Sequence, residues 1–405
     1  MEQKHFIQRF ESLRGIAALM VAAAHTLMVP FQTHGVQAQV AHVLSFLGNG
    51  RAAVTLFFVL SGFVLGLAIR RTEGNFVREY FRFALRRVFR IWPAFLTVTL
   101  LILAWLCFGK ELFPAISQWL DRTTSHRAWM LNGTAPIQWP VVLKNVFLLD
   151  YSMNQVTWTL KAEIGCSLLL PFLHWAVRGF SRRGKGLVLL GLMAVACLGK
   201  WSLLLGFVRA EALFDGSILK YVFLFYMGYL LPEAGPVCLE KLRTRRGMNA
   251  LVLVVAAAMF LLPQSQEDLR IVQGIGAWII LASILYGAQF RCFRALDHPL
   301  AIFYGKISYS FYLWHDVVLV IVARFIIHSL PETSWHGQRL LFVLVLWMTS
   351  VALATGLARL FYSFVEQPFI RLSRNICFRL AAEKSPQGIA PQLAPPATGV
   401  ASASG

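Results

Sequence analysis

Ten apolar blocks run through this chain, at about residues 13–31, 52–69, 91–108, 156–176, 187–206, 217–232, 249–263, 271–289, 303–327 and 339–362. Each is near the ~17–25 residues that a helix needs to cross a bilayer core, and the shorter ones suit helices buried within a bundle. Basic residues are unevenly distributed over the connections. Arg70, Arg71, Arg78, Arg82, Arg86, Arg87 and Arg90 share one connection, and Arg178, Arg182, Arg183 and Lys185 the next of that set. Lys241, Arg243, Arg245 and Arg246, then Arg291 and Arg294, then Arg371, Arg374 and Arg379 complete it. The alternate connections are poorer in basic residues per loop, as where Arg209 stands with Glu211 and Asp215. Cytoplasmic loops carry the excess of Lys and Arg. The pattern therefore predicts an all-α, polytopic membrane protein, a bundle of about ten transmembrane helices with both termini cytoplasmic.

The longest outward connection, about 109–155, is rich in Trp, Pro and Gly, and suits a short amphipathic or re-entrant cover over the bundle mouth. From about 383 onward, Pro-, Ala- and Ser-rich sequence has the composition of a disordered tail. Two regions follow: a transmembrane domain over 1–375 and a cytoplasmic low-complexity tail over 376–405.

Composition excludes a soluble chain, since 57% of the residues are hydrophobic and 14% charged. A net charge of +19 would otherwise suggest nucleic acid. Here most Lys and Arg flank apolar blocks, which points to membrane orientation and contact with anionic lipid, with no nucleic-acid partner. The six cysteines are scattered with no CxxC pair, so neither a disulfide framework nor a metal site is expected. Lys4 and Arg9 before an apolar run ending at Ala22–Ala24 have the outline of a signal peptide, but Arg14 and His25 inside the run favour a retained first helix. No Walker loop, Rossmann glycine pattern, HExxH or GxSxG occurs.

Ionisable residues inside membrane helices are costly, ~2.5–3.5 kcal/mol for Arg on insertion scales, and mark functional sites. Arg14 and His25 lie eleven positions apart. On a helix that is about three turns, so they share a face about 16 Å apart along the axis. A neutral imidazole at that depth suits a general base, although a histidine bonded to a neighbouring helix and a snorkelling arginine fit the same spacing. Arg78, Arg82, Arg86 and Arg90 recur at i, i+4, one basic stripe if helical, with Arg87 beside it. Guanidinium groups bind phosphate in a bidentate manner. Pro93 suits the first turn of the next span. Ser61 and Gly62 fall mid-span, where close helix packing is expected before catalysis. Glu163, about one turn inside the fourth block, has a charge fit to orient an imidazole or hold acceptor hydroxyls, with a structural pair to Lys161 as the alternative. The run Ser308-Tyr309-Ser310-Phe311-Tyr312-Leu313-Trp314-His315-Asp316 is too polar for a lipid-facing helix and suits a cavity wall, though His315 also fits a structural role. Glu366 suits an interfacial cap or salt bridge.

Taken in order over about residues 8–375, these pieces resemble acyltransferase family 3, membrane O-acyltransferases that modify sugars and other acceptors. The matching pieces are Leu13-Arg14-Gly15 through His25, an arginine-x10-histidine pattern, Phe57-Phe58-Val59-Leu60-Ser61-Gly62, and Arg86-Arg87-Val88-Phe89-Arg90-Ile91-Trp92-Pro93. Trp158-Thr159-Leu160 with Glu163 and Pro171, Ile307-Ser308-Tyr309-Ser310 with Tyr312, Leu313 and His315, and Glu366 with Pro368 complete the set. Thr159 stands where the family usually has Ser, and Cys166-Ser167 where it often has an aromatic pair.

The resemblance implies an acyl-CoA co-substrate, often acetyl-CoA, with no permanently bound cofactor and no metal. The acyl group would pass to a hydroxyl of a cell-surface polysaccharide, lipid-linked sugar or similar carbohydrate acceptor, in the cell (inner) membrane. By the same resemblance His25 is general base or covalent relay, Arg14 positions the donor, and Glu163 aligns His25 or the acceptor. Arg86, Arg87 and Arg90, with Ser61, serve the donor, and Trp158, Tyr309 and His315 the acceptor. A proton-coupled multi-pass transporter is the alternative, weakened by the lack of an internal repeat. A protein that binds acyl-CoA without turning it over is the third.

Overall fold

The computed structural model describes residues 2–27, 48–72, 74–109, 138–204, 216–243, 246–262, 269–286, 291–329 and 339–382. Among these residues the fold is all-helical, without strands. Long helices stand at the predicted blocks: α1 (Glu2–Leu27), α2 (Gly50–Arg70), α3 (Phe76–Ala104), α5 (Trp158–Val177), α6 (Arg182–Leu204), α7 (Gly216–Arg243), α8 (Arg246–Leu261), α9 (Leu269–Tyr286), α10 (Pro299–Ser329) and α11 (Arg339–Phe361). A short α4 (Trp139–Val146) precedes α5, and α12 (Gln367–Ala382) follows α11 through a π-helical turn, Tyr362–Glu366. Six of the helical stretches are long and apolar enough to cross a membrane by length and composition: 50–70, 76–108, 155–177, 269–286, 299–323 and 340–377.

Two helix pairs form the frame of the bundle, α1 with α10 and α2 with α7. Both are closed by glycines facing each other's backbone. A Cβ on Gly15 would meet Tyr304 and Gly305 backbone atoms, and one on Gly305 would strike the Glu11 carbonyl. In the second pair, a Cβ on Gly62 would land on the Phe225 carbonyl and one on Gly228 on the Val59 carbonyl. Small residues let backbones approach where lipid supplies no hydrophobic drive for helix association. Gly62 accordingly does the packing work expected of it, and Gly66 does the same against Tyr229.

Pro93 is not at a helix start. The basic stripe and the third apolar block form one continuous α3, capped by the Asn75 side chain accepting from Val77 N at 2.9 Å, with Pro93 well inside it. The carbonyl of Pro93 also accepts from Thr97 Oγ1 at 2.8 Å. Of the long outward connection, residues 110–137 lie outside the described residues. Its remainder includes the amphipathic α4, which buries Val142 and Asn145 and exposes Trp139 and Leu143. The boundary drawn at 375/376 falls inside α12, so helix extends to Ala382; residues 383–405 lie outside the described set.

Candidate active site

α1 passes between two polar regions, one around Arg14 and one around His25. Near Arg14 the structure opens a cavity of ≈ 1030 Å³. Its walls come from α1, the second half of α2, the first half of α3, the end of α5, the start of α10, and the π turn with α12. Eight Arg and Lys side chains line it against two Glu. Arg14, Arg86, Arg87 and Arg90 are among them, joined by Arg178, Lys306, Arg371 and Arg374.

These cations are not equivalent. Arg87 donates from Nη2 to Glu163 Oε1 at 2.8 Å and from Nε to Ser167 Oγ at 3.3 Å. Arg90 pairs with Glu366 Oε1 at 2.7 Å, and Glu366 also accepts from Ser310 Oγ at 2.6 Å. Arg14 has these four residues, Arg87, Arg90, Glu163 and Glu366, as its charged neighbours. Among the described residues it makes no hydrogen bond and no ion pair of its own. Its charge thus sits between two pairs that already neutralise each other. Arg86 is exposed and donates from Nε to the Arg82 carbonyl at 3.3 Å.

Glu163 therefore belongs to the cavity region. Its partners among the described residues are Arg87 and, at 3.5 Å, the Ser61 hydroxyl, rather than His25. The Lys161 Nζ donates to the Leu149 carbonyl at 2.8 Å, and residues two apart on a helix point to different faces. Ser61, turned toward Glu163, supports that carboxylate.

At the far end of α1, α10 supplies the neighbours of His25. His315 Nε2 lies 3.1 Å from His25 Nδ1, and Asp316 Oδ1 lies 3.1 Å from the same nitrogen. The two imidazoles stack with centroids 5.0 Å apart. His315 and Asp316 are 2% and 1% exposed, so this pair is set into the bundle, while the His25 side chain keeps 20% of its surface open. His315 Nδ1 faces the Tyr312 carbonyl at 2.7 Å.

Two tyrosines of α10 are spent on neighbouring elements. Tyr309 donates its hydroxyl to the Ile91 carbonyl of α3 at 2.6 Å, and the Tyr312 hydroxyl lies 2.8 Å from Thr159 Oγ1 and 2.9 Å from the Val156 carbonyl. Tyr309 is thus a buried clamp between α10 and α3, and not open to an acceptor as the polar run suggested. Trp158 is half-buried and packs on the Tyr221 ring at 5.7 Å. Of the sequence candidates, the structure gathers Arg14, Arg86, Arg87 and Arg90 on one cavity, with Glu163 and Ser61 on Arg87's side of it. It joins His25 to His315 separately. Asp316 was quoted in the α10 run without a role. Its signal was a carboxylate next to a histidine inside an apolar span, where an unpaired charge is costly.

A fold all-helical over the described residues, with membrane-length apolar helices and charged side chains gathered inside the bundle, is the architecture of an integral membrane enzyme or carrier. A family model for the acyltransferase domain, acyltransferase family 3, matches residues 7–359, and the chain belongs to that family. It is accordingly a membrane acyltransferase. No curated protein and no solved structure matches it.

Proposed function

We propose that this chain transfers an acyl group, acetyl in the first instance, from cytoplasmic acyl-CoA to a hydroxyl of a cell-surface polysaccharide, lipid-linked sugar or similar acceptor. The observation that carries the reading is α1 itself. Its middle lines a cationic cavity through Arg14, and His25 lies on the same helix about 16 Å further on at ~1.5 Å rise per residue. CoA has that polarity: multiply charged phosphates at one end, an extended pantetheine arm, and the reactive thioester at the other. Arginine forks suit the phosphates. On this reading Arg86, Arg178, Arg371 and Arg374 take the nucleotide end. Arg14, flanked by two neutral ion pairs, polarises or positions the donor nearer the thioester. Arg87 and Arg90 form the inner wall, each held by its carboxylate.

Ten transmembrane helices with both termini in the cytoplasm put the cavity on the cytoplasmic side, where CoA is found, and His25 deeper, within reach of an acceptor in or beyond the membrane. His25 is the catalytic residue that activates the acceptor hydroxyl. Proton transfer by a positioned base contributes ~10²–10⁴-fold. The test is acyl transfer from labelled acetyl-CoA by purified protein in lipid nanodiscs, with and without cell-surface glycan extracts, wild type beside His25→Ala. Acceptor-dependent CoA release that disappears in the folded variant supports the reading. Acetyl-CoA neither bound nor consumed by wild type would overturn it and favour a proton-coupled carrier.

A further inference from the structure

The two nitrogens of the His25 imidazole have different surroundings, and these decide which one can act as base. His315 Nδ1 lies 2.7 Å from the Tyr312 carbonyl, an oxygen that only accepts, so this nitrogen carries a proton. A neutral His315 is then bare at Nε2, the atom 3.1 Å from His25 Nδ1. His25 Nδ1 must supply the proton of that contact. The reverse polarity would need a doubly protonated His315, and would set the Nδ1 lone pair of His25 against Asp316 Oδ1 at 3.1 Å. Tautomers are assigned from the acceptors that each nitrogen faces, and here the assignments run one way: His25 Nδ1–H to His315 Nε2, and His315 Nδ1–H to the Tyr312 carbonyl.

We propose that His25 works through Nε2, with His315 and Asp316 as positioning residues; this rests on the acyl-transfer reading above. His315 fixes the tautomer, leaving the Nε2 lone pair free, and no described residue is a hydrogen-bond partner of that atom. Asp316 supplies the negative charge that the imidazole needs once protonated, from a side chain 1% exposed, where little water screens it. In the reaction, the acceptor hydroxyl gives its proton to His25 Nε2 as its oxygen attacks the thioester carbonyl. The new C–O bond forms, the C–S bond breaks, and the departing thiolate takes the proton back from Nε2. The products are the ester and free CoA. Holding the tautomer and stabilising the imidazolium is what a carboxylate does behind a catalytic histidine. Here the carboxylate and the second histidine come from adjacent positions of one helix, which docks on α1 through the Gly15–Gly305 contact.

The experiment uses the full chain in nanodiscs with two readouts. The first is steady-state acetyl transfer, with acetyl-CoA as donor and the glycan extract as acceptor. The second needs no turnover: the rate at which diethyl pyrocarbonate, a reagent for unprotonated imidazole nitrogen, modifies the His25 peptide, read by mass spectrometry. Asp316→Asn is expected to lower kcat by about 100-fold, within the range for general-base catalysis, while the KM for acetyl-CoA and the thermal unfolding midpoint stay near wild type. Measured at alkaline pH, so that ring protonation does not mask the effect, it should also slow His25 modification several-fold, because the carboxylate no longer stabilises the positive charge that develops on the ring. His315→Gln, whose amide oxygen can still accept from His25 Nδ1, should retain more activity than His315→Leu. An Asp316→Asn variant that matches wild type in both rates would overturn the relay, as would one changed only in the KM for acetyl-CoA. If wild type turns over no acetyl-CoA but Asp316→Asn still slows His25 modification, the relay stands and the acyl-transfer reading falls.

Discussion

Arg14 and Arg87 line the same cavity, but of the two it is Arg87 that has a carboxylate partner among the described residues. Their removal should therefore fail in different ways. Truncating Arg87 leaves Glu163 with the Ser61 hydroxyl at 3.5 Å as its remaining donor among the described residues. An uncompensated buried charge costs ~3–5 kcal/mol; both side chains here keep some exposure, so about 2–3 kcal/mol is expected for Arg87→Ala. Adding Glu163→Gln to that variant should restore part of the loss, because it removes the orphaned charge. Arg14→Met orphans nothing. Its thermal stability should stay within about 1 kcal/mol of wild type, while acetyl-CoA binding weakens about 10–100-fold, the worth of one charge-assisted hydrogen bond. Thermal unfolding beside donor binding in nanodiscs checks both. A stable, tight-binding Arg14→Met variant would remove Arg14 from the donor site.

At the scale of the helices, the contacts between α1 and α10 and between α2 and α7 depend on positions where no side chain fits. Gly62→Ala would drive a methyl group into the Phe225 carbonyl, a backbone atom that cannot swing aside. Overpacking of this kind costs ~1–3 kcal/mol and here would part the two helices. Gly356 in α11 has nothing within 4 Å of its would-be Cβ, so Gly356→Ala should be neutral or stabilising, by up to ~1 kcal/mol of helix propensity. Folded yield and unfolding midpoint of the two variants make the comparison; equal effects would contradict the packing account. The glycine contacts also mark what was readable beforehand. Helix positions follow from local hydropathy, and among the described residues a helix stands at each apolar block, six of the stretches being long and apolar enough to cross a membrane. The closeness implied by Gly62 is local too. Pairings are not: Arg87 finds Glu163 from 76 positions away, and His25 finds His315 from 290. No periodicity encodes such distances, so the sequence leaves Glu163 open between an imidazole, acceptor hydroxyls and Lys161, and gives Asp316, the carboxylate beside His315, no role. Pro93 misled for a related reason, since proline favours helix starts, yet α3 runs through it with its basic stripe and apolar half in one rod.

For the whole molecule, the cavity reading and the membrane orientation stand or fall together. The cavity end of the bundle gathers the start of α3, the end of α5 and α12, where Arg86, Arg178, Arg371 and Arg374 stand. The opposite end carries α4 and the start of α5, with His25, His315 and Asp316 on that side. Lys- and Arg-rich connections stay in the cytoplasm, and CoA, the proposed donor, is found there, so both arguments orient the bundle the same way. Two exposed positions separate the ends. Val77 opens α3 at the cavity side, and Leu149 lies between α4 and α5. In a chain whose native cysteines are replaced, a membrane-impermeant maleimide added to intact cells should label Leu149→Cys, and should reach Val77→Cys only after the membrane is opened. Acetyl-CoA added to the medium around inverted vesicles, which meets the former cytoplasmic face, should protect Val77→Cys from the reagent. The reversed labelling pattern would put the cationic cavity outside the cell, away from its donor, and acyl-CoA could then not be the molecule that it holds.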